Sequence, residues 1–148
     1  MTAPETHAVQ ARYARRDSSA DAQRYSLYAN AAALQAQQER LQAMARLWRA
    51  HGWHSLADKA LLEVGCGSGG NLLDLLRLGA TPTQLTGIEL LSERVAAACA
   101  VLPGGVQLIE GDACAAPVAD ASQQAVLAFT VFSSLLDPGY RQQFARTL

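Results

Sequence analysis

Lysine is almost absent from this sequence of 148 residues, in which Lys59 is the single lysine among 12 basic residues. With 13 acidic residues the formal net charge is −1, so the chain lacks the clustered basic excess that a nucleic-acid or anionic-membrane surface needs. Hydrophobic residues make up 50% of the chain and charged residues 17%. A chain of this size and composition forms one ordinary domain, which needs neither a disulfide nor a metal to fold.

Cysteine is also scarce, since Cys66, Cys99 and Cys114 are an odd number and no two of them have C-x-x-C spacing. Neither a disulfide framework nor a metal site is therefore expected, and a reduced, cytoplasmic protein fits this usage. The amino terminus lacks the basic and apolar segments of a secretory signal. The longest weakly charged stretch, residues 113–136, is interrupted by Pro117 and by polar residues, so no membrane span is expected.

The first part of the chain divides into a polar segment and a helix. Residues 1–29 are polar and show no sustained apolar period, which predicts an amino-terminal tail or mobile arm. Residues 30–50 predict a helical extension that stops at Gly52. Their apolar residues recur at helical spacing: Leu34, Leu41, Met44, Leu47 and Trp48.

Short apolar segments then alternate with helical patterns over the rest of the chain. The pattern predicts strands over residues 60–64, 85–90, 106–110 and 125–132, and helices over residues 71–78 and 92–102, the second capped by Ser92. Such alternation is typical of a parallel sheet covered by helices on both faces. Right-handed crossovers make a doubly wound, mostly parallel α/β sheet the simplest arrangement.

The chain ends soon after it begins another helix near Asp137. The fourth predicted strand is apolar on both faces, and such a strand at a sheet edge would be a template for pairing with other chains. We therefore expect that the last strands of the sheet are missing and that Leu148 marks a truncation.

Glycines interrupt the chain between the first predicted strand and its helix. Gly65-x-Gly67-x-x-Gly70 fits the dinucleotide-binding fingerprint, in which backbone N–H groups approach the ligand closely. Glu89 follows about twenty residues later at the end of the second strand, where a carboxylate can accept hydrogen bonds from ribose hydroxyls. The residues alone thus allow a dinucleotide site.

The same segment also contains a second pattern, Glu63-x-Gly65-x-Gly67-x-Gly69. Dinucleotide folds usually have an apolar residue at the position of Glu63, whereas a carboxylate there can bind loop amides or a cationic amino group. Residues 61–69 resemble the first motif of class I S-adenosylmethionine-dependent methyltransferases, which reads acidic-x-Gly-x-Gly-x-Gly. This resemblance implies a Rossmann-like fold and S-adenosyl-L-methionine as the cofactor.

Three further features resemble this family in the same order along the chain. Glu89 resembles the acidic residue on the cofactor ribose, and Asp112 resembles the residue that recognises the adenine amino group, with the amide of Ala113 or Cys114 near the ring. Residues 129–133 resemble the fourth-strand end that floors the active site. The resemblance covers residues 30–148 and implies these cofactor-binding residues: Glu63, Gly65, Cys66, Gly67, Gly69, Glu89, Leu90, Asp112, Ala113, Phe129 and Thr130.

The resemblance implies a methyltransferase that acts on a small-molecule or sugar-type acceptor. The fourth strand lacks the Asn/Asp-Pro-Pro-Tyr/Phe signature of enzymes that methylate amide or exocyclic nitrogens, which argues against nucleic-acid bases as acceptors. No general base is identified, because His7, His51 and His54 all lie away from the expected site. Similar enzymes use an amino-terminal arm as a lid, a role open to residues 1–29, and a homodimer is one assembly that the sequence allows.

Two other functions stay open on the sequence. The first is an NAD(P)-dependent oxidoreductase with a Rossmann domain, which the dinucleotide fingerprint also fits. The second is a noncatalytic domain that binds S-adenosylmethionine. The cofactor that binds distinguishes the first alternative, and the transfer of a methyl group distinguishes the second.

Overall fold

The computed structural model describes residues 3–17 and 26–148. The residues fall into two compact units, each described here by itself. One comprises Gln10–His54, and the other joins Ser55–Leu148 with the start of the chain up to Val9. Of the predicted arm, residues 1–2 and 18–25 lie outside the described residues.

The polar amino-terminal segment contains a helix that the sequence analysis did not predict. Helix α1 spans Ala3–Asp17, and Val9 on it is buried. Alanine, arginine and glutamine have high helix propensity, so a helix can form here without a sustained apolar period. The prediction of an amino-terminal tail or mobile arm named no helix here, and the structure adds one.

Helix α2 spans Ala31–Ala50, as the apolar spacing predicts. The Asn30 side chain accepts hydrogen bonds from two backbone N–H groups of the first turn and caps the helix, which ends before the left-handed Gly52. Met44 and Trp48 are buried, but 56% of Leu47 is exposed. Only part of the predicted apolar side is thus covered.

Among the described residues of the larger unit, four parallel strands form the sheet. They are β1 (Leu61–Val64), β2 (Leu85–Glu89), β3 (Gln107–Glu110) and β4 (Ala125–Leu127), in the spatial order β3-β2-β1-β4. The helices α3 (Gly70–Arg77), α4 (Ser92–Val101) and α5 (Pro138–Thr147) follow β1, β2 and β4. The predicted doubly wound α/β fold is confirmed, with the change of winding direction between β1 and β4.

The core lies around β1 and β2, whose residues are all buried. Leu61 on β1 and Leu72 on α3 are completely buried. At Gly87 of β2, a Cβ atom would lie 2.8 Å from the Cys66 Sγ atom and 2.9 Å from the Leu72 Cδ1 atom. Glycine at this position therefore lets α3 and the turn before it pack directly on the sheet.

The fourth strand is shorter than the sequence predicts. β4 ends at Leu127, its three residues are half-buried, and β1 is its neighbour among the described strands. Beyond it the chain turns at Thr130, which has a φ of 58°, and forms a 3-10 turn over Phe132–Ser134. The left-handed Thr130 keeps the backbone from staying extended to residue 132, although the apolar composition continues that far.

Ser92 was predicted to cap α4, but it does not occupy the cap position. It is the first residue of the helix, Leu91 occupies the cap position, and the Ser92 hydroxyl donates a hydrogen bond to the Glu110 carboxylate at the end of β3.

None of the helices in the described part of the chain combines the length and the hydropathy that crossing a membrane requires.

Candidate functional site

The predicted site residues lie at or just beyond the carboxyl ends of the parallel strands. The register pairs Val64 of β1 with Ile88 of β2, and Glu89 of β2 with Glu110 of β3, so the ends of the first three strands lie side by side. The turns after β1 and β4 flank the point where the winding direction changes. Open α/β sheets bind their ligands in this crevice.

The glycine loop, residues 65–69, owes its shape to three glycines. Gly65, Gly67 and Gly69 have φ angles of 70°, 55° and 84°, in the left-handed region that side chains disfavour. A Cβ atom on Gly65 would lie 2.7 Å from the Val131 Cγ2 atom, and one on Gly69 would lie 2.9 Å from the Leu102 Cδ1 atom. A Cβ atom on Gly67 would meet nothing within 4 Å. The backbone at Gly67 is therefore open to an approaching ligand.

Glu89 fastens this loop to the end of β2. Its side chain is 7% exposed, one carboxylate oxygen accepts a hydrogen bond from the Gly67 N–H at 2.8 Å, and the other accepts one from the Leu91 N–H at 3.0 Å. Each carboxylate oxygen has a second lone pair. Glu89 can therefore hold the loop and still accept hydrogen bonds from a ligand.

Glu63 places a second carboxylate beneath the loop. It is the third residue of β1, its side chain is 1% exposed, and its Oε1 atom accepts a hydrogen bond from the Asn71 side-chain amide at 2.5 Å. Asn71 lies in the first turn of α3 and was not among the predicted site residues. The signal that could have found it is a single amide side chain at the start of an otherwise apolar helix.

Cys66 is part of the packing of the glycine loop. It is 4% exposed, and burial, followed by the charges of Glu63 and Glu89, raises the pKa of its thiol to about 12. A thiol that stays protonated is a poor nucleophile. Leu90, the next predicted residue beyond β2, is half-buried.

Asp112 lies after β3 and is held by two hydrogen bonds. Its Oδ1 atom accepts one from the Cys114 N–H at 2.9 Å and one from the Tyr140 hydroxyl at 2.6 Å. Ala113 is buried and begins the 3-10 turn Ala113–Ala115. Tyr140, on α5, was missed by the sequence analysis, because no local spacing connects it with Asp112.

Phe129 and Thr130 follow β4 rather than forming its end. Phe129 is half-buried and Thr130 is exposed. The Thr130 hydroxyl donates to the Phe129 carbonyl oxygen at 2.7 Å, and the Thr130 carbonyl oxygen accepts from the Ser133 hydroxyl at the same distance. A β-branched residue with positive φ is strained, so this local bonding holds an unfavourable backbone conformation beside the site.

The start of α1 also contacts the segment after β4, which the sequence did not indicate. The Glu5 side chain is 8% exposed, and its Oε1 atom accepts a hydrogen bond from the Leu136 N–H at 2.9 Å. The two residues are far apart in the sequence, so only the folded chain reveals the contact.

No metal site accompanies these groups within residues 3–17 and 26–148, where no three histidine, cysteine or acidic side chains could hold an ion together. The site contributes the carboxylates of Glu63, Glu89 and Asp112 and an open backbone at Gly67. Such a donor set suits a ligand with a cationic group and hydroxyls, whereas the charges repel a pyrophosphate.

Comparison with known proteins identifies relatives of this arrangement. A family model described as a methyltransferase domain matches residues 61–148. No curated protein matches the sequence significantly. The structure of CalS10 with bound S-adenosylmethionine, an amino pentose methyltransferase of calicheamicin biosynthesis from Micromonospora echinaspora, is 26% identical with a TM-score of 0.57. That similarity covers 74% of this chain and 43% of CalS10.

The YcgJ protein from Bacillus subtilis is 17% identical, again with a TM-score of 0.57, over 74% of this chain and 44% of YcgJ. At that identity the likeness concerns the fold alone. The chain therefore spans less than half the length of both solved structures. Because the family model covers more than half of the sequence, the chain belongs to the methyltransferase domain family, and the resemblance of its glycine motif to class I S-adenosylmethionine-dependent methyltransferases is confirmed.

Proposed function

We propose that this chain binds S-adenosylmethionine at its glycine loop and takes part in methyl transfer to a small-molecule or sugar-type acceptor. The observation that carries the proposal is the grouping of three acidic side chains and the glycine loop along the carboxyl edge of the sheet. The family match favours methyl transfer over the hydride transfer of an NAD(P)-dependent oxidoreductase. A bound cofactor of this kind supplies an electrophilic methyl group on a sulfonium.

The residues of the crevice fit the polar groups of this cofactor. Glu63 supplies negative charge for the amino-acid ammonium, Glu89 accepts from the ribose hydroxyls, and Asp112 accepts from the adenine amino group. The open backbone at Gly67 allows close approach, which a side chain would prevent. Cys66, Leu90 and Ala113 complete the apolar surroundings.

The main tasks of the protein are to align the acceptor and to exclude water, because an in-line displacement disperses charge in its transition state. Phe129 and Thr130 are proposed as the floor on which the acceptor rests. The segment that carries them lies against the glycine loop, where Val131 approaches Gly65. A shift in either loop would therefore change the alignment of the reacting groups.

The acceptor class is proposed from two observations. CalS10, one of the similar solved structures, is an amino pentose methyltransferase. The segment after β4 reads Phe129-Thr130-Val131-Phe132, without the signature of enzymes that methylate nucleic-acid bases. A small polar molecule or a sugar is the acceptor that both observations favour.

A lid role for residues 1–29 stays a prediction. The hydrogen bond from the Leu136 N–H to Glu5 joins the start of α1 to the segment after β4. A homodimer stays a prediction, which light scattering on the purified chain would test.

The test is calorimetric titration of the chain with S-adenosylhomocysteine and, separately, with NADH. We expect micromolar binding of the first alone. Glu89→Ala removes hydrogen bonds to a charged acceptor, each worth about 1.5–3 kcal/mol, and should weaken this binding about tenfold or more. Glu110→Ala is the matched control, because it removes a carboxylate from the neighbouring strand end in register with Glu89.

Unchanged affinity in a folded Glu89→Ala variant, or binding of NADH alone, would contradict the cofactor proposal. Incubation with S-adenosylmethionine carrying a labelled methyl group and a panel of amino sugars tests the transfer itself. Labelled product supports an enzyme. Binding without any transferred or hydrolysed cofactor would instead support the noncatalytic alternative.

A further inference from the structure

Tyr140 is a buried hydroxyl donor that the proposed mechanism does not use. It lies in the first turn of α5, is 5% exposed, and donates its hydrogen bond to Asp112 across 28 residues of sequence. Burial and then the Asp112 carboxylate raise the pKa of the Tyr140 hydroxyl above its ordinary value, so it remains protonated and able to donate. A hydroxyl donor in a fixed position can set the orientation in which the Asp112 carboxylate meets a ligand.

The two hydrogen bonds to Asp112 come from different directions in the chain. The Cys114 N–H belongs to the turn that Asp112 itself begins, whereas the Tyr140 hydroxyl belongs to a separate helix. Rotation about the last side-chain bond of aspartate is soft, so one local hydrogen bond does not fix the plane of the carboxylate. The second bond, from a rigid helix, fixes it.

Both hydrogen bonds end on the same oxygen, Oδ1, and the Cys114 thiol also lies beside Asp112 and Tyr140. Oδ2 takes part in neither of the two hydrogen bonds, so it is the oxygen that Asp112 can offer to a ligand at the carboxyl edge of the sheet. A carboxylate held by one oxygen presents the other in a single direction. An oxygen that points in a single direction can accept a hydrogen bond from a donor group at one position of a planar ring and not at the others.

We propose that Tyr140 is a positioning residue, which orients Asp112 so that Oδ2 selects the exocyclic amino group of a purine. This inference rests on the proposed function, and adds the group that makes the nucleoside end of the site selective. It differs from a purely structural role, in which the Tyr140 hydroxyl would merely find a partner for its own burial.

The test uses two ligands that differ at one group: S-adenosylhomocysteine and its analogue in which hydrogen replaces the adenine amino group. We expect the unaltered chain to prefer the first ligand about tenfold. Tyr140→Phe should weaken binding of S-adenosylhomocysteine about fivefold and change binding of the analogue by less than about twofold. In an Asp112→Ala background, Tyr140→Phe should have no additional effect on either ligand.

Phe144→Leu is the matched control, because Phe144 is buried on the same helix, its ring centroid lies 6.4 Å from that of Tyr140, and it has no polar side-chain atom to donate to Asp112. Phe144→Leu should weaken the binding of both ligands by the same factor or leave both affinities unchanged. Asp137→Ala is a second way to disturb Tyr140, since the Asp137 side chain accepts from the Tyr140 N–H at 2.5 Å and caps α5. It should reproduce the selective loss in smaller size, and it keeps the inference testable if Tyr140→Phe does not fold.

Equal losses for both ligands in Tyr140→Phe, or no loss for either, would overturn the inference while the proposed function stands. A chain that binds neither ligand would overturn the proposed function and the inference together. Selective loss in Tyr140→Phe that vanishes in the Asp112→Ala background would support the positioning role.

Discussion

Two turns meet at the carboxyl edge of the sheet, and each enters the left-handed region in a different way. The glycine loop does so at Gly65, Gly67 and Gly69, which have no Cβ atom to oppose it. The turn after β4 does so at Thr130, a β-branched residue whose positive φ costs about 1–3 kcal/mol. One turn is thus shaped without strain, whereas the other stores strain beside the proposed acceptor.

The difference separates two kinds of contribution to the site. Hydrogen bonds from Gly67 and Leu91 to Glu89 hold the glycine loop in the shape that its residues already favour. The turn after β4 keeps its shape against its own preference, through the hydroxyls of Thr130 and Ser133. We infer that the first turn is preorganised to bind and that the second is retained for what it places at the site.

The largest effect is expected where the two turns touch. Gly65→Ala would place a Cβ atom 2.7 Å from the Val131 Cγ2 atom at a φ of 70°. Strain and overpacking together should lower the free energy of unfolding by about 2–4 kcal/mol, measured by urea denaturation. Gly67→Ala, with open space around its Cβ atom, should cost only the conformational penalty of about 1–2 kcal/mol.

Adding Val131→Ala to the Gly65→Ala variant should restore part of its stability, because the clashing methyl group is removed. Equal losses for the two glycine variants, with no recovery in the double variant, would show that the turns do not press against each other.

The next largest expected effect is a gain in stability. Thr130→Gly should raise the free energy of unfolding by about 1 kcal/mol, because released backbone strain exceeds the entropy cost of glycine. It should also lower the rate of methyl transfer, since Thr130 is proposed to floor the acceptor site. The control is Ala121→Gly, at the other non-glycine residue with positive φ among those described, in the exposed turn that precedes β4.

Ala121→Gly should also stabilise the chain, by about 0.5 kcal/mol, without changing the transfer rate. A Thr130→Gly variant that is more stable and fully active would mean that the strain serves no function at this site.

The order of strands and helices could be predicted because short apolar segments alternate with helical patterns. The position of Glu89 at the end of β2 followed from the same reasoning. The length of β4 was overestimated, because apolar composition does not encode the left-handed conformation of Thr130. α1 was missed because its residues have high helix propensity but show no sustained apolar period.

Contacts between distant residues were beyond the sequence for a different reason. The bonds from Tyr140 to Asp112 and from Leu136 to Glu5 join elements that only the tertiary fold brings together. Spacing rules act within one helix or between a strand and the next turn, so they do not extend to such pairs. The side chains proposed to bind the cofactor could therefore be named from the sequence, whereas their distant hydrogen-bond partner Tyr140 could not.

The smallest effect concerns the closure of the glycine loop, which a thiol reagent can measure. At pH 8 we expect Cys99, which is exposed on α4, to be labelled, and Cys66 to remain unlabelled. Cys66 is buried, and with its thiol pKa raised from 9.0 to about 12 it forms about a thousandfold less thiolate than an ordinary cysteine. Cys99→Ser and Cys66→Ser variants assign the labelled site by mass.

The Cys66 thiol should make the free energy of unfolding fall as the pH rises above 9. Because the Cys66 thiol has a higher pKa in the folded chain than the ordinary value of 9.0, its contribution to stability is complete below pH 9 and is lost between pH 9 and about 12. Cys66→Ser should therefore flatten the loss of stability in this range, and Cys99→Ser should not. Labelling of Cys66 at the rate of Cys99 at pH 8 would mean that the glycine loop opens freely. The contrast between a preorganised turn and a strained one would then fail, because the glycine loop would not hold its shape without a ligand.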